Sequence, residues 1–271
     1  MNVLRTWELP SLLRTIHDPP KCLYLRGQGN PAVLAGPAVA IVGARACSPY
    51  GKQVARMLAR ELAAAGIVVV SGLARGIDGE AHRGALDGEG TTVAVLGCGI
   101  DRDYPASHSK LAQTIAERSL LVSEYEPGVE PAPWRFPARN RIIAGLCAAT
   151  VVLEARDRSG ALITAGFALE EGREVFAVPG DITSPLSAGT NALLRLGATP
   201  LTAAADVFEA LGVEPTPRPR AAHPFLELLP ATADELIRVT GLTPGEVAAA
   251  LAELELSGLA AEGEGMYRRA G

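Results

Sequence analysis

The chain has 271 residues, 48% of them apolar and 29 of them glycine, with a formal net charge of −5. That length accommodates one large domain plus a small appendage, and the composition suits buried parallel strands joined by tight turns. No uncharged apolar run reaches the ~18 residues of a membrane span, and Met1–Arg5 lacks the apolar stretch of a secretory signal. Cys22, Cys47, Cys98 and Cys147 are scattered without a CxxC pair. This points to reduced thiols in a cytoplasmic protein rather than a disulfide frame or zinc site, and no metal or cofactor is expected.

In chain order, Ala38–Val42 reads as the first buried strand and Tyr50–Ala65 as a helix closed by Gly66. Strand Ile67–Val70, a short helix Gly79–Leu86 and strand Thr92–Leu96 follow, then a helix near Ser107–Glu117 and strand Leu120–Val122. Strands Thr150–Leu153 and Val175–Val178 flank a helix over Ala161–Glu171, and helices near Asn191–Leu196 and Ala203–Leu211 end the domain. All-apolar strands alternating with period-3.6 helices predict a doubly wound, mostly parallel α/β sheet, an extended Rossmann-like domain over residues 1–213. Three alternating prolines make 214–222 a stiff linker. Beyond it, helices at Pro224–Leu229, Thr232–Thr240 and Thr243–Ser257, then a hairpin of Leu259–Ala261 and Met266–Arg268, give 223–271 a winged-helix pattern. Residues 221–271 hold eight of the 30 acids and three of the 25 bases, leaving 22 of each elsewhere. Any nucleic-acid surface is therefore a local basic patch on the larger domain.

In a doubly wound sheet ligands bind beyond the carboxyl ends of the strands. Here those ends are rich in glycine and small polar residues: Gly43-Ala44-Arg45 with Ser48, Ser71-Gly72 with Arg75-Gly76, Gly97-Cys98-Gly99, and Ser159-Gly160 with Thr164 one turn on. Glycine admits close backbone approach, helix starts attract phosphate, and Arg45 could clamp one phosphate bidentately. The segment Trp134–Arg141 holds three arginines and two aromatics in eight residues before an apolar helix. Cationic heads with stacking rings suit single-strand binding. Core packing and base stacking weigh equally for Phe136, partial burial is expected for Trp134, and Arg139 with Arg141 favours phosphate over carboxylate partners. His82 reads as a packed histidine rather than a general base, on a helix capped by Asp78. Cofactor fingerprints fail: Gly97-Cys98-Gly99 lacks the third glycine of a dinucleotide site, Gly51-Lys52-Gln53 is no phosphate loop of the NTPases, and no GxSxG occurs.

Together these residues resemble the DprA (DNA processing protein A, or Smf) family. The resemblance runs through Val39–Arg45 with Ser48–Gly51, Ser71–Asp78 with Ala81-His82, Ala94–Asp101 with Tyr104-Pro105, and Ser123–Tyr125. It continues through Phe136–Leu146, Glu154-Ala155 with Ser159–Thr164, and Ala177–Gly180 with Gly189–Asn191, covering about residues 18 to 202. It implies a homodimer that binds single-stranded DNA at the strand ends, protects incoming DNA in natural transformation and helps load RecA recombinase, without catalysis. It puts the phosphate-contacting arginine at Arg45, with Ser71-Gly72, Gly76 and the segment holding Phe136, Arg139, Asn140 and Arg141 as further contacts. Ala44 stands where the family commonly has Ser, and with about 35 residues before the first strand the small helical N-terminal domain of many members is expected to be absent or removed.

Two other readings compete. A nucleotide hydrolase of the related nucleoside-monophosphate-cleaving type would use Ser159-Gly160 and Glu170, but its second glycine and paired carboxylates are missing. A duplex-DNA regulator would read through Thr243–Ser257, which carries Glu246, Glu253 and Glu255 and no Lys or Arg, a polarity that repels phosphate.

Overall fold

Buried β-branched strands interleaved with amphipathic helices build the larger part of the chain. The computed structural model describes residues 2–214, 224–256, 259–263 and 265–269. Its elements are β1 (Asn2–Arg5), α1 (Ser11–Arg14), β2 (Cys22–Arg26), β3 (Ala38–Val42), α2 (Pro49–Ala64), β4 (Val68–Ser71), α3 (Ile77–Asp87), β5 (Thr92–Val95), α4 (Ser109–Arg118), β6 (Leu120–Ser123), α5 (Arg135–Leu146), β7 (Ala149–Val152), α6 (Gly160–Glu170), β8 (Glu174–Ala177), α7 (Ala188–Arg195), β9 (Thr199–Pro200) and α8 (Ala204–Leu211). After them come α9 (Pro224–Leu228), α10 (Ala233–Thr240), α11 (Pro244–Leu256), β10 (Ala260–Gly263) and β11 (Met266–Arg269). The chain divides into two compact units, Met1–Thr216 and Pro217–Gly271. Apart from Glu214, the linker expected at 214–222 lies outside the described residues, as does the end of the third tail helix at Ser257.

The larger unit is one nine-stranded sheet in the order β1-β2-β6-β5-β4-β3-β7-β8-β9. From β6 to β9 every pairing is parallel. Three strands, β1, β2 and β9, lie outside the alternating pattern of the sequence. The first two form an antiparallel edge on β6, with Tyr24 opposite Ser123. Both are short and only partly buried, so no all-apolar run announces them.

Alternation along the strands sends Ala38, Ala40 and Val42 into a core shared with α1, α5 and α6, and Val39 and Ile41 into one shared with α2, α3 and α8. A third cluster joins Leu96, Ile100 and Ile115 beside α4. Both faces are thus covered, as parallel sheets require. The chain winds outward from β3 through β6 and then returns to β7 on the other side of β3. The connections after β3 and β7 therefore leave toward opposite faces and open a crevice between them.

In the smaller unit α9, α10 and α11 pack Phe225, Leu236, Val247 and Leu251 beneath the β10–β11 hairpin, in which Glu262 opposes Tyr267. Among the described residues no helix is long and apolar enough to cross a membrane.

Candidate nucleic-acid interface

The crevice at the switch point holds a cavity of about 220 Å³. Its floor is the end of β3 (Val42, Gly43) and Asp78, one wall is Phe136, Pro137, Arg139 and Asn140, and the opposite wall is Ser159, Gly160 and Thr164 at the start of α6. Arg45 overhangs it. A second cavity of about 120 Å³ shares Arg45, Ala74, Phe136 and Arg139 with the first and adds Gly72, Arg75, Gly97, Tyr104, Pro105 and Ser107.

Arg45 and Arg75 are the exposed cations that line the two cavities, and among the described residues neither pairs with a carboxylate. The Arg45 guanidinium sits 5.6 Å from the Phe136 ring centroid, and Phe136 stacks on Tyr104 with centroids 5.2 Å apart at 24°. Phe136 is therefore neither core nor free: it props up both the cation and a second aromatic.

The helix α5 starts at Arg135, so the arginine-rich segment is itself helical rather than a loop leading into a helix. Residues two apart on a helix point about 200° apart, and Arg139 and Arg141 go opposite ways. Arg139 is 3% exposed. It donates to the carbonyls of Gly72 (2.9 Å) and Val95 and to Asn140 Oδ1 (3.2 Å). Burial lowers its pKa to about 10, against the pull of nearby Asp78. Arg141 turns away from both cavities. Glu124 takes it bidentately at 2.8 and 2.7 Å, and Asp18 lies 2.9 Å from its Nε. The phosphate role expected for Arg141 is corrected: those two carboxylates hold its guanidinium, and the Glu124 hydrogen bonds raise its pKa.

Other expectations also change. Asp78 does not cap its helix. Its Oδ2 accepts from the Gly72 and Ala74 N–H groups at 3.1 and 3.3 Å, tying down the loop after β4, and burial raises its pKa. The N-cap of α3 is Gly76 at φ +78°, where a Cβ would run into the Ala44 carbonyl. Gly76 thus lets the Arg45 and Arg75 loops touch without itself lining a cavity. Ser71 is fully buried and donates to the Ile41 carbonyl at 2.7 Å. Ser48 caps α2, and Glu154 accepts from both its N–H (2.9 Å) and its hydroxyl (2.5 Å). Neither serine lines a cavity, because each spends its hydroxyl on the scaffold. Trp134, expected to be partly buried, is 62% exposed, with the Arg135 guanidinium 4.9 Å from its ring centroid.

Gly43, Gly72, Asn140, Ser159, Gly160 and Thr164 do meet at the two cavities. Gly72 has its N–H held by Asp78 and its carbonyl by Arg139, and a Cβ there would strike the Arg139 guanidinium. Asn140 donates to the Gly160 carbonyl at 3.2 Å, fixing α5 against the start of α6. Tyr104 and Ser107, which no sequence pattern marks as contacts, line the smaller cavity. A lone aromatic beside a proline past a strand end gives no periodic signal.

His82 is fully buried with its pKa pushed down to about 3, chiefly by burial. The Thr92 hydroxyl gives its proton to the Val69 carbonyl at 2.8 Å, so it accepts from His82 Nδ1 at 2.7 Å. Nε2 is left bare, with no hydrogen-bond partner among the described residues. Among the described residues Asp78 is the one carboxylate lining the two cavities. Glu170 sits at the far end of α6, about 15 Å from Gly160 at 1.5 Å per residue. It cannot share a phosphate with the helix start, which removes the carboxylate that the nucleotide-hydrolase reading needs.

The family model described as DNA recombination-mediator protein A matches residues 2–212, and that described as the DprA winged helix domain matches residues 224–266. Over 266 residues the chain is 47% identical to the putative DNA processing protein DprA of Mycobacterium tuberculosis, covering 92% of this chain and 68% of that protein. A crystal structure of DNA processing protein A from Streptococcus pneumoniae superposes with a TM-score of 0.73 at 44% identity, over 77% of this chain and 73% of that one. The Helicobacter pylori DNA processing protein A, whose structure describes a single-stranded DNA binding mode, gives a TM-score of 0.70 at 35% identity over 78% and 94%.

Proposed function

The chain belongs to the DNA recombination-mediator protein A (DprA) family, and on that premise we propose that its larger unit binds single-stranded DNA in the crevice between β3 and β7. The observation that carries this reading is the Arg45 guanidinium, exposed and without a carboxylate partner among the described residues, facing across the cavity an α6 start that has no acid in its first turn. A phosphate there meets a fixed cation on one side and helix N–H groups on the other. Gly43 and Gly72 let the backbone approach, Arg75 extends the positive edge, and Arg139 and Asn140 hold the walls. The site is one for binding rather than catalysis: its one carboxylate is occupied by the Gly72 and Ala74 N–H groups.

The finer role follows the family. The protein acts in the cytoplasm as a homodimer that protects incoming DNA in natural transformation and helps load RecA. Supporting the DNA step are the single-strand binding described for the Helicobacter pylori relative and the shared fold. Titration of dT oligonucleotides and a matched duplex by fluorescence anisotropy, at several salt concentrations, tests it. Salt-sensitive, single-strand-selective binding that weakens in Arg45→Ala is the expected result. Unchanged affinity and salt slope in that variant would remove the phosphate site.

A further inference from the structure

Glu154 is a buried carboxylate that lines neither cavity. It is 6% exposed, just past the end of β7, and among the described residues it pairs with no Lys or Arg. Its backbone is held on both sides: the Leu153 N–H donates to the Val42 carbonyl at 3.2 Å, and the Ala155 N–H to the Leu186 carbonyl at 2.7 Å. From that fixed position the side chain crosses to the turn after β3. There its carboxylate accepts from the Ser48 N–H at 2.9 Å and the Ser48 hydroxyl at 2.5 Å. Two glycines make room for the crossing. A Cβ at Gly51 would lie 2.5 Å from the carboxylate, and one at Gly43 would lie 3.1 Å from the Glu154 carbonyl oxygen.

The turn that carries Arg45 is thus anchored at two points. On one side the Ala44 carbonyl accepts from the Ile77 N–H of α3 at 3.2 Å, and on the other Ser48 is tied to Glu154. Arg45 lies between the anchors. Of the two, Glu154 belongs to the same β7–α6 connection as Ser159 and Gly160. We propose that Glu154 is the positioning residue of the phosphate site: by clamping the Arg45 turn to that connection, it fixes the distance between the guanidinium and the start of α6. The proposal rests on the phosphate reading of the larger cavity. A phosphate bridging a cation and helix N–H groups needs both at hydrogen-bond distance at once, so a shift of about 1 Å in either forfeits one partner. The Ser48 N–H survives Ser48→Ala, so that variant leaves the clamp in place, whereas loss of the carboxylate releases it.

The test is a double-mutant cycle in dT binding, read by anisotropy across several salt concentrations on Glu154→Ala, Arg45→Ala and the two combined, each checked for folding by circular dichroism. Glu154→Ala should weaken dT binding about tenfold and lower the salt slope by about 0.7, the effect of losing the Arg45 contact. The combined variant should bind no more weakly than Arg45→Ala, because both residues act through one contact. Glu154→Gln, which still accepts from the Ser48 N–H, should recover most of the affinity. Gly51→Ala covers the case in which Glu154→Ala does not fold. Alanine suits a helix better than glycine, yet its methyl displaces the carboxylate, so this variant should stay folded and bind as weakly as Arg45→Ala. Wild-type affinity in Glu154→Ala, or in Gly51→Ala where Glu154→Ala is unfolded, would overturn the clamp. So would losses that multiply in the combined variant, the mark of a merely structural role. Arg45→Ala separates the two ideas: no effect there removes the phosphate site, whereas weakened binding there with Glu154→Ala and Gly51→Ala unaffected removes the clamp alone.

Discussion

The start of α6 in the larger unit and the starts of α10 and α11 in the smaller one are built alike and left in opposite states. Each has a hydroxyl N-cap: Ser159, Thr232 and Thr243. In the smaller unit Glu235 and Glu246 turn back onto the caps, accepting from the Thr232 N–H at 2.8 Å and the Thr243 N–H at 2.9 Å. Hydrogen bonds from the cap pull both carboxyls below their ordinary pKa, the Thr232 N–H chiefly for Glu235 and the Thr243 hydroxyl chiefly for Glu246, so the helix starts carry their own anions. The start of α2 is filled as well, by Glu154 from the end of the neighbouring strand β7. The start of α6 has no acid and opens onto Arg45. A helix start is a phosphate seat only where the protein has not supplied the negative charge itself, and composition alone does not show which starts are filled.

The largest effect should come from the residue that holds the open edge in place. Arg139→Met leaves the Gly72 and Val95 carbonyls without their donor and Asp78 without its nearest cation. A loss of about 3–5 kcal/mol is expected by chemical denaturation; a near-neutral result would show that the loop after β4 is held by other contacts.

Acid should act almost as strongly through His82. In the unfolded chain this imidazole takes a proton below pH ~6.5, whereas in the fold it does so only near pH 3. Its contribution is therefore fully present above the unfolded pKa and is lost as pH falls toward 3. From pH 7 to 4 the loss is on the order of 3 kcal/mol. Asp78, with its raised pKa, acts in the opposite sense, so the check is the difference in denaturation slope between wild type and His82→Gln, which should be flatter.

Arg45→Ala should weaken dT binding about tenfold and reduce the salt slope by about 0.7, the value for one phosphate contact on a single strand. Ser48→Ala sharpens the contrast between filled and open helix starts: it should lower stability by about 1 kcal/mol and leave the salt slope untouched. A changed slope would mean that the start of α2 also takes phosphate. Smallest of all, removal of residues 217–271 should leave single-strand affinity unchanged, because that unit is acidic and its helix starts are filled. A clear drop in affinity would place DNA on the smaller unit as well.

The alternation of apolar strands and amphipathic helices, and with it the parallel sheet, the glycine-rich strand ends and the small acidic tail, was written in the order of the residues alone. Periodicity and turn chemistry act over a few residues, so a linear reading reaches them. Arg45 was legible for the same reason, being fixed in a tight turn directly after a strand. Which polar groups were already satisfied depended on how the folded chain brought distant residues together. Arg141 and Ser48 looked as available as Arg45 until Glu124, Asp18 and Glu154, distant in sequence, were brought against them. Asp78 passed from helix cap to loop anchor because Gly72 and Ala74 present their N–H groups to it across a turn. Tyr104 became part of the site only when Phe136, on another element, came to lie behind it. Hydrogen bonding and charge pairing are decided by distance in space, and a sequence supplies the groups without that distance.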